Sequence, residues 1–302
     1  MLNWIGMKLF LQLLGNGVIQ GVMAACLAAG FGFVYRSFRI FHIAMGAQFV
    51  FSCYAFYYFT VMAKWPLWSA AVAALAVSVM FAALIEVVVY RPFFRKRCSA
   101  GAVMIAALGV MIVVENLIAL TFGNEVKMVS NKIEPSVVVW ELRFVRIQLI
   151  QAFGGLALFV GVGLLVARNR WFKAMWAMGD QPELVPALGL PMDRLRLLVM
   201  MLGGVMVAVP AMMISYDIGM TPHVGMHYLL LAAVAVFFGG VDRYFAWGVG
   251  AVVLCALQSL AVWQFSARWV DLVTFGVLIF VLLFRPQGLL GTRKRLEEGG
   301  GA

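Results

Sequence analysis

Apolar runs, most of them near twenty residues long, follow one another along the chain with short polar breaks between them. They predict spans at about 9–34, 40–62, 67–89, 102–122, 148–167, 197–216, 226–240, 244–265 and 269–284. Roughly twenty apolar residues are what a helix needs to cross the hydrocarbon core of a bilayer. Backbone polar groups in lipid must be satisfied within the segment, so recurring runs of this length predict helices. The expected fold is all-α, a polytopic transmembrane helical bundle of about 8–9 spans, or ten at most. The run 226–240 is short enough to be re-entrant instead, buried in protein. One transmembrane domain over 1–291 is expected, followed by a basic, then acidic and glycine-rich tail at 292–302. The first span carries Gly15, Gly17, Gly21, Gly30 and Gly32, a density of small residues that lets helices approach closely in lipid. Gly203, Gly204 and Pro210 are kink points in the sixth.

Two breaks are long. In 124–146 and just beyond, Val137 to Ile147 (VVVWELRFVRI) is β-branched and alternating, so a small hairpin is expected. The other, Arg168 to Arg196, is basic and polar and contains its own helix signals. Asp180 with Glu183 reads as a capping box, Pro182 suits a first turn and Gly189 a C-terminal stop after Leu188. Pro186 would bend or shorten that helix. Such a short helical segment is either an ordinary cytoplasmic loop or a handle for a soluble partner.

Composition sharpens the class. The chain is 64% hydrophobic and 12% charged, with a mean hydropathy of +0.98. Its net charge of +10 raises a nucleic-acid reading, but the charges sit in short loops as the positive-inside rule expects. With the N-terminus outside and nine crossings, sixteen of the 23 Lys and Arg fall on the inner side. Cys26, Cys53, Cys98 and Cys255 form no C-x-x-C pair, so neither a zinc site nor a disulfide framework is indicated. No cleavable signal peptide is expected, because the first run is long enough to span. There is no phosphate-loop motif, no H-E-x-x-H and no G-x-S-x-G. ATP hydrolysis is therefore not expected of this chain, and no cofactor is expected in it.

Polar residues within spans are costly and face a cavity or a partner helix. They are Gln20, His42, Gln48, Glu86, Glu115, Asn116, Asp217, Gln258 and Asp271. Gln20, His42, Gln48, Glu115 and Asn116 are the candidates for a substrate pathway. Glu86, one turn from the basic end of its span, is expected to pair with Arg91. Glu115 is either a hydrogen-bonded structural or pathway group or the proton site of a secondary transporter. His223 and His227, four apart at a predicted outer interface, are a weak metal-site candidate.

Several stretches, in order, resemble a known family. They are Asn16-Gly17, Gly21 and Val34-Tyr35; Glu86 with Tyr90-Arg91-Pro92; Leu108-Gly109 with Asn116; and Asp180, Leu188-Gly189-Leu190 and Asp193-Arg194. Pro222, Gly225, Gly239-Gly240 and Gly248 follow, then Phe284 to Gly291 (FRPQGLLG). The set resembles the LivH-type permeases, the membrane subunits of branched-chain amino acid ABC transporters. The resemblance implies an importer subunit of the bacterial inner membrane that moves branched-chain or similar apolar amino acids, or related amides. It implies cytoplasmic ATPase subunits that bind the ATP, a second homologous permease and a periplasmic solute-binding protein. It assigns ATPase coupling to Asp180, Pro182, Glu183, Leu188 and Gly189. The chain departs from the family where I-N-F-A-H-G-E becomes Phe41 to Ala47 (FHIAMGA), and where the glycine after V-Y becomes Arg36. The rival reading is a proton-coupled secondary transporter of a small solute with Glu115 as the coupling group.

Overall fold

The computed structural model describes residues 2–130, 136–139, 142–180, 184–264, 266–285 and 287–291. Its elements follow the apolar runs closely. Helix α1 spans Leu2–Phe38, α2 Ala44–Tyr57 and α3 Leu67–Leu84. A π-helical turn, Tyr58–Met62, extends α2, and another, Ile85–Tyr90, joins α3 to the short α4, Arg91–Arg95. Helix α5 spans Ala100–Phe122 and α6 Arg146–Arg168. The long break after α6 holds α7, Arg170–Asp180, and α8, Leu184–Ala187. Then come α9, Met192–Ile218, α10, Gly225–Gly239, α11, Tyr244–Gln264, and α12, Val270–Phe284.

Six of these helical stretches are long and apolar enough to cross a membrane. Helices α10 and α12 are shorter, and α2 reaches a crossing length only with its π turn. Contacts at each end of α10 fix its course. Before it, Met220 pairs with Lys127 as an isolated antiparallel bridge on the outer side. After it, Asp242 lies 3.6 Å from Arg36 at the inner end of α1. Helix α10 therefore passes through the bundle and does not turn back. Its fifteen residues rise only about 22 Å. That is short for a bilayer and workable because the helix is largely buried in protein.

The bundle is built around α1. The most apolar stretch of α1 is 83% buried, against 22% for α5 and 28% for α3, so α1 is the axis and the other two are peripheral. Small residues make this possible. A Cβ on Gly32 would lie 2.7 Å from the Trp247 ring of α11, and one on Gly30 would lie 3.1 Å from the Gly203 carbonyl of α9. In lipid, where burial of apolar surface drives little, such close packing supplies much of the cohesion. Trp247, Phe31, Phe33 and Leu254 fill the layers between these glycines and are almost wholly buried.

The expected hairpin is present. Strands β1, Ser136–Val139, and β2, Leu142–Val145, pair antiparallel, with Val137 opposite Phe144. The Phe144 ring packs where a Cβ on Gly15 would reach, at 2.9 Å. Gln12 of α1 donates to the Arg143 carbonyl and accepts from the Arg143 amide, each at 2.8 Å. The hairpin thus seats on the outer end of the central helix.

Candidate functional site

The inner face carries the most connected polar structure. Helix α7 ends at Asp180, and its Met175 and Met178 are buried against the bundle. Gly179 sits directly on the Arg36 backbone, where any Cβ would collide with the Arg36 carbonyl oxygen. That approach lets the Asp180 carboxylate meet the end of α1. Arg36 donates to Asp180 through both terminal nitrogens, at 2.9 and 2.6 Å. Arg39 adds a bond to Asp180 at 2.9 Å and one to the Gly179 carbonyl at 3.1 Å. The Arg36 side chain is only 7% exposed, and a paired, forked guanidinium is the form in which a cation tolerates such burial.

The far end of the same segment is held as well. Arg95 of α4 donates to Asp193, in the first turn of α9, at 2.6 Å, and Arg91 approaches it at 4.0 Å. A carboxylate there also complements the N-terminal dipole of α9. The Arg196 guanidinium lies over the Phe94 ring, 4.1 Å from its centroid. The expected Glu86–Arg91 pair is not formed. Arg91 turns to Asp193, while Glu86 is fully buried with neither carboxylate oxygen hydrogen-bonded. The two residues are one π turn apart, the Arg91 amide donating to the Glu86 carbonyl, but the Arg91 side chain leaves the helix toward the Asp193 carboxylate.

Between these clamps lies the short helix expected from the sequence. Helix α8 is described over Leu184–Ala187 and contains Pro186. Gly189 closes it at φ +73°. The Gly189 amide donates to the Pro186 carbonyl and the Leu190 amide to the Val185 carbonyl. Val185 is buried as an anchor, and Leu188 projects outward, 75% exposed. Asp180 is engaged by the two arginines, while Glu183, its partner in the expected capping box, and Pro182, expected in the first turn, lie outside the described residues. Sequence reasoning missed α7. Phe172, Met175, Trp176 and Met178 recur at helical spacing and are the signal that could have found it. It also missed Arg36, whose role depends on a residue 144 positions away.

The intramembrane candidates fall in three places. His42 and Gln48 are buried around α2. The His42 Nδ1 is hydrogen-bonded to the Tyr90 hydroxyl, and Gln48 lies against Gly204 of α9. Glu115 and Asn116 sit on α5. Glu115 faces the imidazole of His223 at 3.5 Å, and Asn116 donates back to the Ile112 carbonyl at 2.7 Å while facing outward. Gln20 lines an outer cavity of about 250 Å³ with Gln151, Asp217, Tyr228 and Gln258. In that cavity Gln151 donates to the Met213 carbonyl and to Asp217. His223 and His227 do not converge, because His227 faces Asp271 at 3.8 Å.

Comparison with known proteins gives a consistent result over nearly the whole chain. A family profile described as "Branched-chain amino acid transport system / permease component" matches residues 13–282. The chain is 27% identical to the high-affinity branched-chain amino acid transport system permease protein BraD of Pseudomonas aeruginosa, over 96% of this chain and 98% of that one. It is 27% identical to the corresponding protein LivH of Escherichia coli strain K12, over 96% and 97%. Among solved structures, PsaBC from Streptococcus pneumoniae in complex with Fab superposes with a TM-score of 0.53. That match covers 92% of both chains at 13% identity, a likeness of fold.

Proposed function

Because this chain belongs to the family of branched-chain amino acid transport system permease components, we propose that it is the membrane-spanning subunit of an ATP-driven importer. It is a multi-pass membrane protein and a transport subunit, not a catalytic enzyme. Its place is the bacterial inner membrane, and its cargo is a branched-chain or similar apolar amino acid or a related amide. A second homologous permease completes the path. A periplasmic binding protein delivers the solute, and cytoplasmic ATPase subunits bind the nucleotide.

The observation that carries this reading is the two-point attachment of the segment after α6. Asp180 ties it to α1, and Asp193 ties it to α4 at the end of α3. A segment held that way transmits a push at Leu188 or Gly189 to the central helix of the bundle. Closure of ATPase subunits on this handle would then tilt α1 and its neighbours as packed bodies. In the same reading, Gln20, His42, Gln48, Glu115 and Asn116 belong to the solute path.

The test is reconstitution with the partner subunits and solute-loaded binding protein. A two-residue insertion after Gly189 should abolish solute-stimulated ATP hydrolysis while membrane insertion and folding persist. Full stimulation in that variant would end the coupling assignment. Uptake driven by a proton gradient without ATP would move the argument to Glu115.

A further inference from the structure

The structure contains a crevice that the transport reading does not use. Helices α6 and α11 both lie along α1 yet barely touch one another. Between them, toward the inner face, is a cavity of about 640 Å³ whose walls include Val166, Phe172, Trp176 and Tyr244. A second, wholly apolar cavity of about 350 Å³ continues it outward between Leu156, Val160 and Val252. Phe245 and Val249 line both. The crevice opens sideways, for Leu156, Phe245 and Val249 are each about half exposed.

The charged side chains that line it stand at the inner mouth. They are Lys173 of α7 and Arg243, just before α11. Arg168 and Arg170 line the adjoining groove beside Trp171, which is half exposed at the expected depth of an interfacial belt. Among the described residues no carboxylate lines either cavity, and Asp180 and Asp242, on the same two segments as Lys173 and Arg243, both face Arg36, so the lining charge at the mouth is positive.

We propose that this crevice is a binding site for one anionic phospholipid of the inner leaflet, its acyl chain between α6 and α11 and its headgroup on Lys173 and Arg243. An apolar furrow open to lipid does not fill with water, since its walls offer a water molecule no partners. An acyl chain gains the dispersion contacts that the two helices do not make with each other. Basic residues at the inner interface attract anionic headgroups, and each contributes separately. The site joins α7 to the end of α11, so an occupying lipid would brace the segment that Asp180 already ties to α1.

The experiment is native mass spectrometry of the transporter complex, purified in mild detergent and challenged with phosphatidylglycerol or phosphatidylcholine. The wild type should retain phosphatidylglycerol and release phosphatidylcholine. Removing both charges, Lys173→Gln with Arg243→Gln, should weaken phosphatidylglycerol retention by roughly thirtyfold, the loss of two interfacial cations. Val249→Trp, which fills the shared wall without altering charge, should displace the lipid too. Lys64→Asn, on the opposite face, should change nothing. Equal retention of both lipids, or unchanged retention in the double variant, would overturn the site. If glycerol phosphate displaces the lipid and Val249→Trp does not, only a surface anion contact exists and the proposal fails. A wild type with no lipid adduct, because a partner subunit fills the crevice, would also refute it.

Discussion

The two ends of the bundle handle their charges differently. At the inner face, arginine–aspartate pairs of 2.6–2.9 Å lock the segment after α6 to α1 and α4. At the outer face the corresponding groups are looser. Glu115 and His223 stand 3.5 Å apart and His227 and Asp271 3.8 Å, with both imidazoles more than half exposed. At the inner face the Arg36 side chain is drawn out of water. There, direct partners replace hydration, and losing one is costly. The outer imidazoles and the Asp271 carboxylate keep much of their water, and so these pairs constrain less. The inner segment is tied directly to α1 and α4, whereas these outer pairs leave their side chains less constrained.

The largest effect is expected at Arg36. Arg36→Ala should destabilise the protein by about 2 kcal/mol, below the full cost for a buried pair because the Asp180 side chain is 36% exposed. A double-mutant cycle with Asp180→Ala, read by thermal melting in detergent, measures it. A coupling energy near zero would break the contrast. Next, Gly179→Ala should cost roughly 1–2 kcal/mol, because its Cβ meets backbone and not a side chain that can turn away. The same melts should show Arg36→Ala and Gly179→Ala falling short of additivity, since both release the same clamp.

Arg95→Gln should cost less than about 1 kcal/mol, the arginine being 66% exposed, and raised salt should shrink the difference. Smallest of all, His223→Ala should stay within about 0.5 kcal/mol of wild type. If the outer variant destabilises more than Arg36→Ala, the two ends have been ranked the wrong way round.

Much of the fold is written in the one-dimensional pattern. The span limits predicted at 148–167, 197–216 and 244–265 fall within or beside Arg146–Arg168, Met192–Ile218 and Tyr244–Gln264. Run length and interrupting charge are local properties, and lipid leaves the backbone little choice but helix. The hairpin was legible for a similar reason, its β-branched alternation. The inner segment was half legible. Gly189 acts within a turn of itself and closes α8 at a positive φ, whereas α7 is defined by the burial of Met175 and Met178 against distant helices.

The candidate site divides along the same line. The sequence by itself determined that this is a multi-span helical membrane protein and which face is basic. It also determined that a structured segment follows the fifth span. Each of these follows from residue type and near neighbours. Only the tertiary structure decided that α1 is the axis, that Arg36 and Arg39 hold Asp180, and that Arg91 serves Asp193 and not Glu86. It also separated Gln20, His42 with Gln48, and Glu115 with Asn116 into three places. Those outcomes depend on which helices pack together and at what rotation. A π turn or a missing Cβ shifts that arrangement by more than any periodicity records.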